Sequence, residues 1–308
     1  MLDLTLLEER QVFGAKQSDI LTKYGRKCGI TDFSILLTGR GGGYSDSYTN
    51  EGNLTGEWWT KTPDIDGNVY TVHERGYSSS DSSFMRLVGI RPVFKYSSLE
   101  SSVFQIVENK NDIKEITYGE YPQWIVDEDF SKELEESFNK CNLKTTGKSY
   151  TTDSVYVWDD DNNYSSFNPR NYVEYEYNGD KYIRFVGDSN GEGEHLSDNR
   201  IIEIGVPYWI KVEPIVWLVD EKADIALSKY IIVAGIQFDN KEIYEGNFEE
   251  TFIKQFMNTY LAKEIECSVV DKLIENKQQL DIDSIFDDAI NKMNEINKVE
   301  KPKTLSLK

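Results

Sequence analysis

Residue types that commonly carry out catalysis are sparse in this chain and do not cluster. Its three cysteines, Cys28, Cys141 and Cys267, form no CxxC pair, and its two histidines are isolated from each other. A zinc site or a disulfide framework would need such residues at short, regular spacing. The glycine-rich run at 39–43 lacks the Lys-Ser/Thr ending of a phosphate loop and is interpreted as a flexible loop, and no Gly-x-Ser-x-Gly motif marks a nucleophile. The sequence therefore predicts a protein that is not an enzyme.

Oxygen-bearing side chains come closer to a metal-ligand pattern. Asp64, Asp66 and Asn68 fall at alternate positions, which suits a hard cation such as calcium. However, Gly67 stands at the wrong place for an EF-hand loop, and the Glu of the twelfth position is missing. A second acidic cluster lies at 159–163. We interpret both clusters as polar turns and predict no cofactor, with calcium as the alternative.

The charge of the chain is strongly negative, which excludes several kinds of partner. Asp and Glu total 54 against 34 Lys and Arg, so the formal net charge is -20. Such a surface repels phosphate groups and anionic membranes, which argues against direct nucleic-acid or membrane binding. No apolar run reaches membrane-spanning length, and the acidic N-terminus is unlike a signal peptide. Together with the lack of a disulfide pattern, these features predict a cytoplasmic protein.

A stretch rich in Tyr, Ser and Gly between residues 41 and 86 has the composition of a binding surface. Such residues combine contact area with adaptable hydrogen bonding. The partner would be a protein or a small ligand, and the alternative interpretation is an ordinary polar surface loop. The candidate ligand-binding residues are Tyr44, Tyr48, Tyr70, His73, Arg75, Tyr77, Ser79 and Phe84.

Rigid residues flank this candidate surface. The large rings of Trp58 and Trp59 predict burial in the core rather than a platform for a ligand. Near the other end, Arg91 precedes Pro92, which restricts Arg91 to extended backbone. We expect the Arg91 guanidinium to hold loop carbonyls or a carboxylate. These four residues are therefore predicted to be structural.

The elements that position these residues follow from the spacing of apolar side chains. Helical spacing predicts mostly helix over 1–36, and helices over 130–140 and 248–265. Asn178-Gly179 lies between two alternating runs, as in a tight hairpin turn. The mixture predicts an α+β protein. The predicted strands cover residues 69–73, 84–90, 154–158, 172–177, 181–186, 200–205, 208–219 and 228–238.

The C-terminal part carries an apolar stripe at spacing three and four, which is typical of an amphipathic helix. The stripe extends over only about two heptads, so an isolated helix would be marginal. We therefore predict that another surface buries it, in the same chain or in an oligomer. The stripe consists of Ile282, Ile285, Phe286, Ala289, Ile290, Met293 and Ile296.

Two motifs around the candidate surface resemble those of a known family. Residues 58–63, WWTKTP, and residues 88–93, VGIRPV, resemble its Trp-Trp-Leu-Arg-Ser-Pro-like and Val-Gly-Val-Arg-Pro-Ala-Leu segments. That family consists of bacterial and phage proteins of unknown function, and these segments usually lie at its C-terminal end. It is similar to the C-type-lectin-like fold of formylglycine-generating enzymes, a fold that also carries ligand-binding proteins diversified by retroelements.

Later segments resemble the beginning of the same family pattern. Residues 118–122, YGEYP, are similar to its opening, and residues 213–219 and 227–231 to its first core strands. Residues 256–261, FMNTYL, are similar to its first core helix. The usual end therefore comes first in this chain and the usual start comes second.

This resemblance implies an α+β fold with a C-type-lectin-like mixed core built from two sequence segments, plus a C-terminal helix. Residues 1–96 would carry the display loops, 97–117 would form a connector, 118–266 would form a β-rich segment with an amphipathic helix, and 267–308 would form a helical tail. We expect the segments to pack within one chain, the alternative being pairing between chains.

The resemblance does not bring enzymatic activity with it. An oxidising formylglycine-generating enzyme needs a copper-bound cysteine pair, and no cysteine here lies in a matching motif. We expect a non-enzymatic binding protein, phage-borne or diversified by a retroelement, that displays residues 41–86. The alternative is an acidic, phosphate-mimicking inhibitor of a nucleic-acid-binding defence complex. Salt separates the two, because a charge-driven inhibitor loses affinity as ionic strength rises and an aromatic surface loses little.

Overall fold

A computed structural model describes residues 2–14, 17–39, 48–49, 52–83, 88–110, 113–153, 169–239 and 243–271. It confirms the expected α+β class, with strands in three sheets and helices beside them. The strands are β1 (Cys28–Ile30), β2 (Thr55–Gly56), β3 (Trp58–Pro63), β4 (Val69–Val72), β5 (Ser78–Asp81), β6 (Gly89–Ile90), β7 (Val93–Lys95), β8 (Gln105–Lys110), β9 (Ile113–Ile125), β10 (Lys144–Asp153), β11 (Pro169–Tyr177), β12 (Asp180–Val186), β13 (Pro207–Asp220), β14 (Ile225–Ser228), β15 (Tyr230–Ile231) and β16 (Val233–Ala234). The helices are α1 (Glu9–Val12), α2 (Asp19–Tyr24), α3 (Asp32–Thr38), α4 (Glu128–Asn139) and α5 (Phe252–Phe256). The last continues through a π-helical turn, Met257–Leu261, and remains helical to residue 271; residues 252–271 are called the C-terminal helix below.

The largest sheet has eight strands and is organised around the long strand β13. At one edge, the first part of β13 pairs with β12, which continues to β11 and β10, and its last part pairs with β14, which continues to β7. Along the opposite edge β13 pairs with β9, and β8 lies beyond β9. The sequence of β13 has apolar residues on both faces, which is typical of a central strand. Its Trp217 is fully buried and donates from the indole to the Tyr118 carbonyl oxygen at 2.9 Å. The strand and its neighbour β9 are therefore fixed to each other by side chains as well as by the ladder.

The predicted hairpin at Asn178-Gly179 is confirmed as the turn between β11 and β12. The φ angles of these residues are 54° and 86°, which are the positive values that a type I′ turn requires at both central positions. Tyr177 and Asp180 close the two-residue loop. Helix α4 lies beside this hairpin and confirms the helix predicted over 130–140. Its predicted apolar face, Phe130, Leu134 and Phe138, packs against Tyr175, Tyr177, Tyr182 and Trp209.

Three strand pairs connect residues 1–96 with residues 118–266 within the chain. β7 pairs with β14 in the largest sheet, β1 pairs in parallel with β15, and β6 pairs with β16. The GIRPV segment supplies β6 and β7, and the residues after β13 supply their partners. Each part thus contributes strands to the sheets of the other, and buried side chains of both belong to one hydrophobic cluster.

The five-stranded sheet has the order β16-β6-β3-β4-β5 and contains the two adjacent tryptophans in its central strand. Trp58 and Trp59 are consecutive in β3, so their rings lie on opposite faces, and both are fully buried. The Trp59 ring contacts Phe238 with 5.3 Å between centroids. Trp58 donates from Nε1 to the Arg26 carbonyl oxygen at 3.3 Å. Because both faces of β3 are covered, this strand gives the β4–β5 hairpin a rigid base at the edge of the sheet.

The C-terminal helix confirms the helix predicted over 248–265 and packs its apolar face into the core. Thr251 caps its first turn by accepting a hydrogen bond from the Lys254 N–H at 3.3 Å. The Lys254 ammonium donates to the Leu4 carbonyl oxygen at 3.0 Å, which ties the helix to the N-terminal residues. Neither this helix nor any other in the described ranges is long and apolar enough to cross a membrane.

The N-terminal region is less helical than the spacing over 1–36 predicts. Helix α2 ends at Tyr24 because Gly25 adopts a φ of 86°, outside the helical region. Cys28, which continues the helical spacing in the sequence, instead lies in β1 and pairs with Gly56 of β2. The structure therefore corrects the prediction to short helices separated by a strand.

Three further segments differ from their predicted form. Residues 97–117, expected to be a connector, supply β8 and the beginning of β9. The predicted strand at 200–205 is a loop with one isolated bridge, and Gly205 ends it with a φ of 80°. The predicted strand at 228–238 is divided into the end of β14, β15 and β16, which enter different sheets. The predicted strand at 154–158, the acidic cluster at 159–163 and the apolar stripe at 282–296 lie outside the described residues.

Candidate functional site

The β4–β5 hairpin positions the central part of the predicted binding surface. Its register pairs Val69 with Asp81 and Val72 with Ser78. The connecting turn is closed by a hydrogen bond from the His73 N–H to the Tyr77 carbonyl oxygen at 3.0 Å. Gly76 permits this turn, since its φ is 85°. The strand predicted over 69–73 thus ends one residue early, and the tight turn presents its side chains at the sheet edge.

His73 and Tyr77 form a stacked aromatic pair at this turn. Their ring centroids are 4.2 Å apart and the rings are inclined by 13°. The Arg75 backbone N–H donates to His73 Nδ1 at 3.2 Å, so the neutral ring carries its proton on Nε2. Burial lowers the pKa of His73, and the charge of Arg75 lowers it further, so the ring is neutral near pH 7. Because Tyr77 is 51% exposed, the pair offers an uncharged aromatic surface to solvent.

Two carboxyl groups, Glu57 and Asp81, lie on the same face of the sheet as the stacked pair. Asp81 is two positions beyond Ser79, and Ser79 pairs with Thr71 on β4. Alternation along the strands therefore directs Thr71, Ser79 and Asp81 to one face, and His73 and Tyr77 continue it. The Thr71 hydroxyl donates to Glu57 Oε1.

The carboxyl pair shares a proton near neutral pH. Burial, together with the nearby charges of Asp81 and Glu74, raises the pKa of Glu57 to about 7, although the hydrogen bond from Thr71 opposes this. Burial also raises the pKa of Asp81, whereas its hydrogen bond with Glu57 and the neighbouring His73 lower it. The pair therefore holds one proton and carries one negative charge near neutral pH. Glu57 is buried and Asp81 is half-buried, so the charge of the pair is accessible to a ligand through Asp81.

The other predicted binding residues lie apart from this face or outside the described residues. Tyr70 pairs with Ser80 and therefore points to the opposite face, where it is half-buried. Tyr48 is 45% exposed and accepts a hydrogen bond at its carbonyl oxygen from the Lys27 ammonium at 3.5 Å. Arg75 is exposed in the turn. The remaining candidates, Tyr44 and Phe84, lie outside the described residues.

Sequence reasoning did not select Glu57, Thr71 and Asp81. Glu57 directly precedes the two core tryptophans. Acidic side chains are rarely buried, so a Glu next to two buried residues was the available signal. Thr71 and Asp81 could have been found by pairing the predicted strand at 69–73 with the Ser-rich run around the Arg75-Gly76 turn. The polar face forms only when the two strands pair in that register, so neither strand shows it alone.

The residues predicted to be structural occupy the core behind the hairpin. The Arg91 Nε–H donates to the Ser228 carbonyl oxygen at 3.0 Å, and its guanidinium carbon lies 5.1 Å from the Trp58 ring. Burial lowers the pKa of Arg91. Burial also raises the pKa of the adjacent Cys28 thiol to about 11, so the thiol is neutral. Pro92 is buried as well, and its carbonyl oxygen accepts the Ser228 N–H at 3.0 Å.

The acidic loop after β3 has the geometry of a hydrogen-bonded turn. Asp64 Oδ1 accepts the backbone N–H groups of Asp66 and Asn68, each at 2.9 Å. An Asx turn of this kind directs the Asp64 oxygen towards its own backbone. Within the described ranges, no group of three or more His, Cys, Asp or Glu side chains is placed to hold a metal ion.

Comparison of the chain with models of protein families, with curated proteins and with solved structures gave no match. A functional assignment therefore has to come from the geometry of the chain itself. The β4–β5 hairpin has a face that contains predicted binding residues. The same face carries the polar and aromatic side chains suited to contact a ligand.

Proposed function

We propose that this protein is a non-enzymatic binding protein that recognises a cationic group, on a protein or a small ligand, through the β4–β5 hairpin. The observation that carries the proposal is the stacked His73–Tyr77 pair on the same face as the Asp81 carboxyl group, which forms a carboxyl pair with Glu57. An exposed ring next to a carboxylate suits a guanidinium or an ammonium, which gains from both the ring face and the charge.

The base of this face is suited to hold its shape when a ligand binds. β4 lies next to β3, whose Trp58 and Trp59 are fully buried on opposite faces. The buried Glu57 keeps Asp81 in place through their shared proton. A preorganised surface loses little conformational entropy on binding, which raises affinity for a given contact area. The net charge of -20 would also draw cationic partners towards the protein.

The experiment is a calorimetric titration of the full chain with a short peptide that contains one arginine, and with the same peptide carrying citrulline instead. We expect binding of the arginine peptide only. Tyr77→Ala and Asp81→Asn should each weaken it at least tenfold, and Ser78→Ala, on the same strand but the opposite face, should not. Equal binding of the citrulline peptide, or undiminished binding to both hairpin variants, would contradict the proposal.

We also propose the finer form of the fold, a C-type-lectin-like core with its two segments in inverted order. The pairing of β7 with β14 supports it, because the segment similar to the end of the family pattern meets the segment similar to its start. An experimental structure in which these strands are not neighbours would contradict this assignment.

The second candidate function is an acidic inhibitor of a nucleic-acid-binding defence complex. It is favoured by the net charge of -20, which imitates the charge of nucleic acid. Raising the salt concentration from about 50 to 200 mM should then weaken partner binding by several orders of magnitude, whereas the hairpin face, with one carboxyl pair as its charge, should weaken only about three- to fourfold. Genes for phage anti-defence proteins beside this gene would support the inhibitor, and a reverse transcriptase with a template repeat would support a diversified binding protein.

A further inference from the structure

A small apolar groove lies between the residues that lead into β8 and the end of the C-terminal helix. Its volume is about 120 Å³, below the about 300–1,000 Å³ of small-molecule sites. Val103 and Phe104, just before β8, line one side, and Val269 of the helix lines the other. All three side chains are half-buried and pack against the main hydrophobic cluster. The groove therefore has room for side chains of a protein segment rather than for a separate small ligand.

Strand β8 continues the groove as an apolar edge of the largest sheet. Among the described strands β8 pairs with β9 alone, so its other side is a sheet edge. Ile106 and Val107 of β8 are 61% and 56% exposed. Ile106 pairs with Ile116, which is fully buried, so both side chains lie on the core face of the sheet. This face is thus covered at β9 and exposed at β8.

The end of the C-terminal helix is held next to this exposed face. Gly119 of β9 lies so close to the helix that an added Cβ would be 2.3 Å from Ile265 Cγ2. One turn later, the Ser268 hydroxyl accepts the Glu120 N–H at 2.8 Å and donates to the Ile265 carbonyl oxygen at 2.6 Å. The described part of the helix ends at residue 271. The residues that follow therefore start beside the groove and β8.

The apolar stripe at 282–296 has a suitable length and distance along the chain to cover β8. Residues 272–281, which precede it, can span up to about 35 Å when extended. As a helix, residues 282–296 would be about 22 Å long, and the 6 residues of β8 extend over about 20 Å. A helix of this size fits along β8 with its apolar side chains towards Ile106 and the groove.

We propose that residues 282–296 form a helix that docks, within the same chain, on this groove and on the exposed face of β8. Amphipathic helices commonly bind by laying their apolar face into such a groove. The short connection from residue 271 keeps the helix at an effective concentration on the order of millimolar. A second copy of the chain, with the same net charge of -20, is repelled instead.

The docked helix gives the edge strand a cover. An exposed apolar edge is a template for pairing with other chains, and natural proteins block such edges with a helix or a loop. The C-terminal segment would therefore keep β8 from pairing with strands of other chains.

The test is photocross-linking of the full chain with p-benzoylphenylalanine in place of Phe286. We expect cross-links to residues 102–107, within one chain and at monomer size in a denaturing gel. The same photoreactive residue in place of Asn291, on the opposite side of the predicted helix, should give at least fivefold fewer of them. Ile106→Asp should lower the yield from position 286 at least fivefold, whereas Ile65→Asp, at a site that is 98% exposed, should not.

Hydrogen exchange of the full chain, followed by mass spectrometry, gives a readout without the photoreactive residue. The double variant Ile285→Asp/Ile290→Asp interrupts the apolar face and should speed exchange in the peptide that contains β8 at least fivefold. Asn291→Asp adds a charge on the polar side and should leave this exchange unchanged. Thermal denaturation of each variant checks that the fold is intact.

Three results would overturn the proposal. They are cross-links from position 286 to other segments or to a second chain, equal yields from positions 286 and 291, and unchanged exchange of β8 in the double variant. Because the groove shares no residue with the β4–β5 hairpin, these outcomes are independent of the arginine-peptide titration.

Discussion

Replacing Trp59, which pairs with Thr71 across the β3–β4 ladder, by alanine should destabilise the protein strongly. Trp59 is fully buried in the central strand of the five-stranded sheet, and its ring contacts Phe238 with 5.3 Å between centroids. Its Nε1 has no hydrogen-bond partner among the described residues, so the loss is one of packing rather than of hydrogen bonding.

The size of this effect follows from the burial of the ring. Deleting a buried tryptophan side chain costs about 3–5 kcal/mol, and losing an aromatic pair adds about 0.5–1.5 kcal/mol. Since the whole free energy of unfolding of a domain is only about 5–15 kcal/mol, this is a large fraction. For a chain of this size the melting temperature should fall by about 5–10 °C.

The measurement is urea denaturation followed by circular dichroism and by the fluorescence of the remaining tryptophans. Trp59→Phe keeps a ring against Phe238 and should lose only about 1–2 kcal/mol. Ser78→Ala, exposed on β5, should stay within about 0.5 kcal/mol of the parent. A loss below about 1 kcal/mol for Trp59→Ala would refute the inference that this residue supports the hairpin through the core.

Two further predictions concern the stability of the fold. Burial raises the pKa of Asp32 from 3.8 to about 6 and that of Glu57 from 4.5 to about 7. Both values lie above those of the unfolded chain. The stability that these two carboxyl groups contribute is therefore present below pH 4 and lost as the pH rises through 6 and 7. The melting temperature should therefore fall between pH 5 and pH 8, and a rise over that interval would contradict the assignment. Gly119→Ala should destabilise by more than about 2 kcal/mol, because its φ is 69° and a Cβ would lie 2.3 Å from Ile265 Cγ2. Gly205→Ala, also at positive φ but with open space around it, should cost only about 1 kcal/mol; equal melting temperatures of the two variants would show that the contact with the C-terminal helix is loose.

The parts of the fold that could be predicted from the sequence have local causes. Asn178-Gly179 favours one turn type by its own backbone preferences, and the face of α4 follows from spacing within one helix. The burial of Trp58 and Trp59 follows from their size. Each of these properties depends on residues that are close in sequence.

The parts that could not be predicted depend on distant partners. β1, β15 and β16 are too short to show a period, and they exist because strands from the other half of the chain pair with them. The carboxyl pair of Glu57 and Asp81 required the register of three strands. Glu264 looked like an ordinary exposed position of an amphipathic helix, because its partner, the Thr151 backbone N–H of β10, lies more than a hundred residues earlier in the sequence.

The central claim, that the β4–β5 hairpin recognises a cationic group, is tested most directly by mapping where such a group binds. The full chain would be titrated with N-acetyl-arginine amide, and the ring resonances of His73 and Tyr77 would be followed by NMR. We predict that both rings shift together in a saturable way, that the shifts persist at about 200 mM salt, and that Asp81→Asn abolishes them. Saturable shifts confined to other residues, or unchanged His73 and Tyr77 resonances at saturating ligand, would contradict the account.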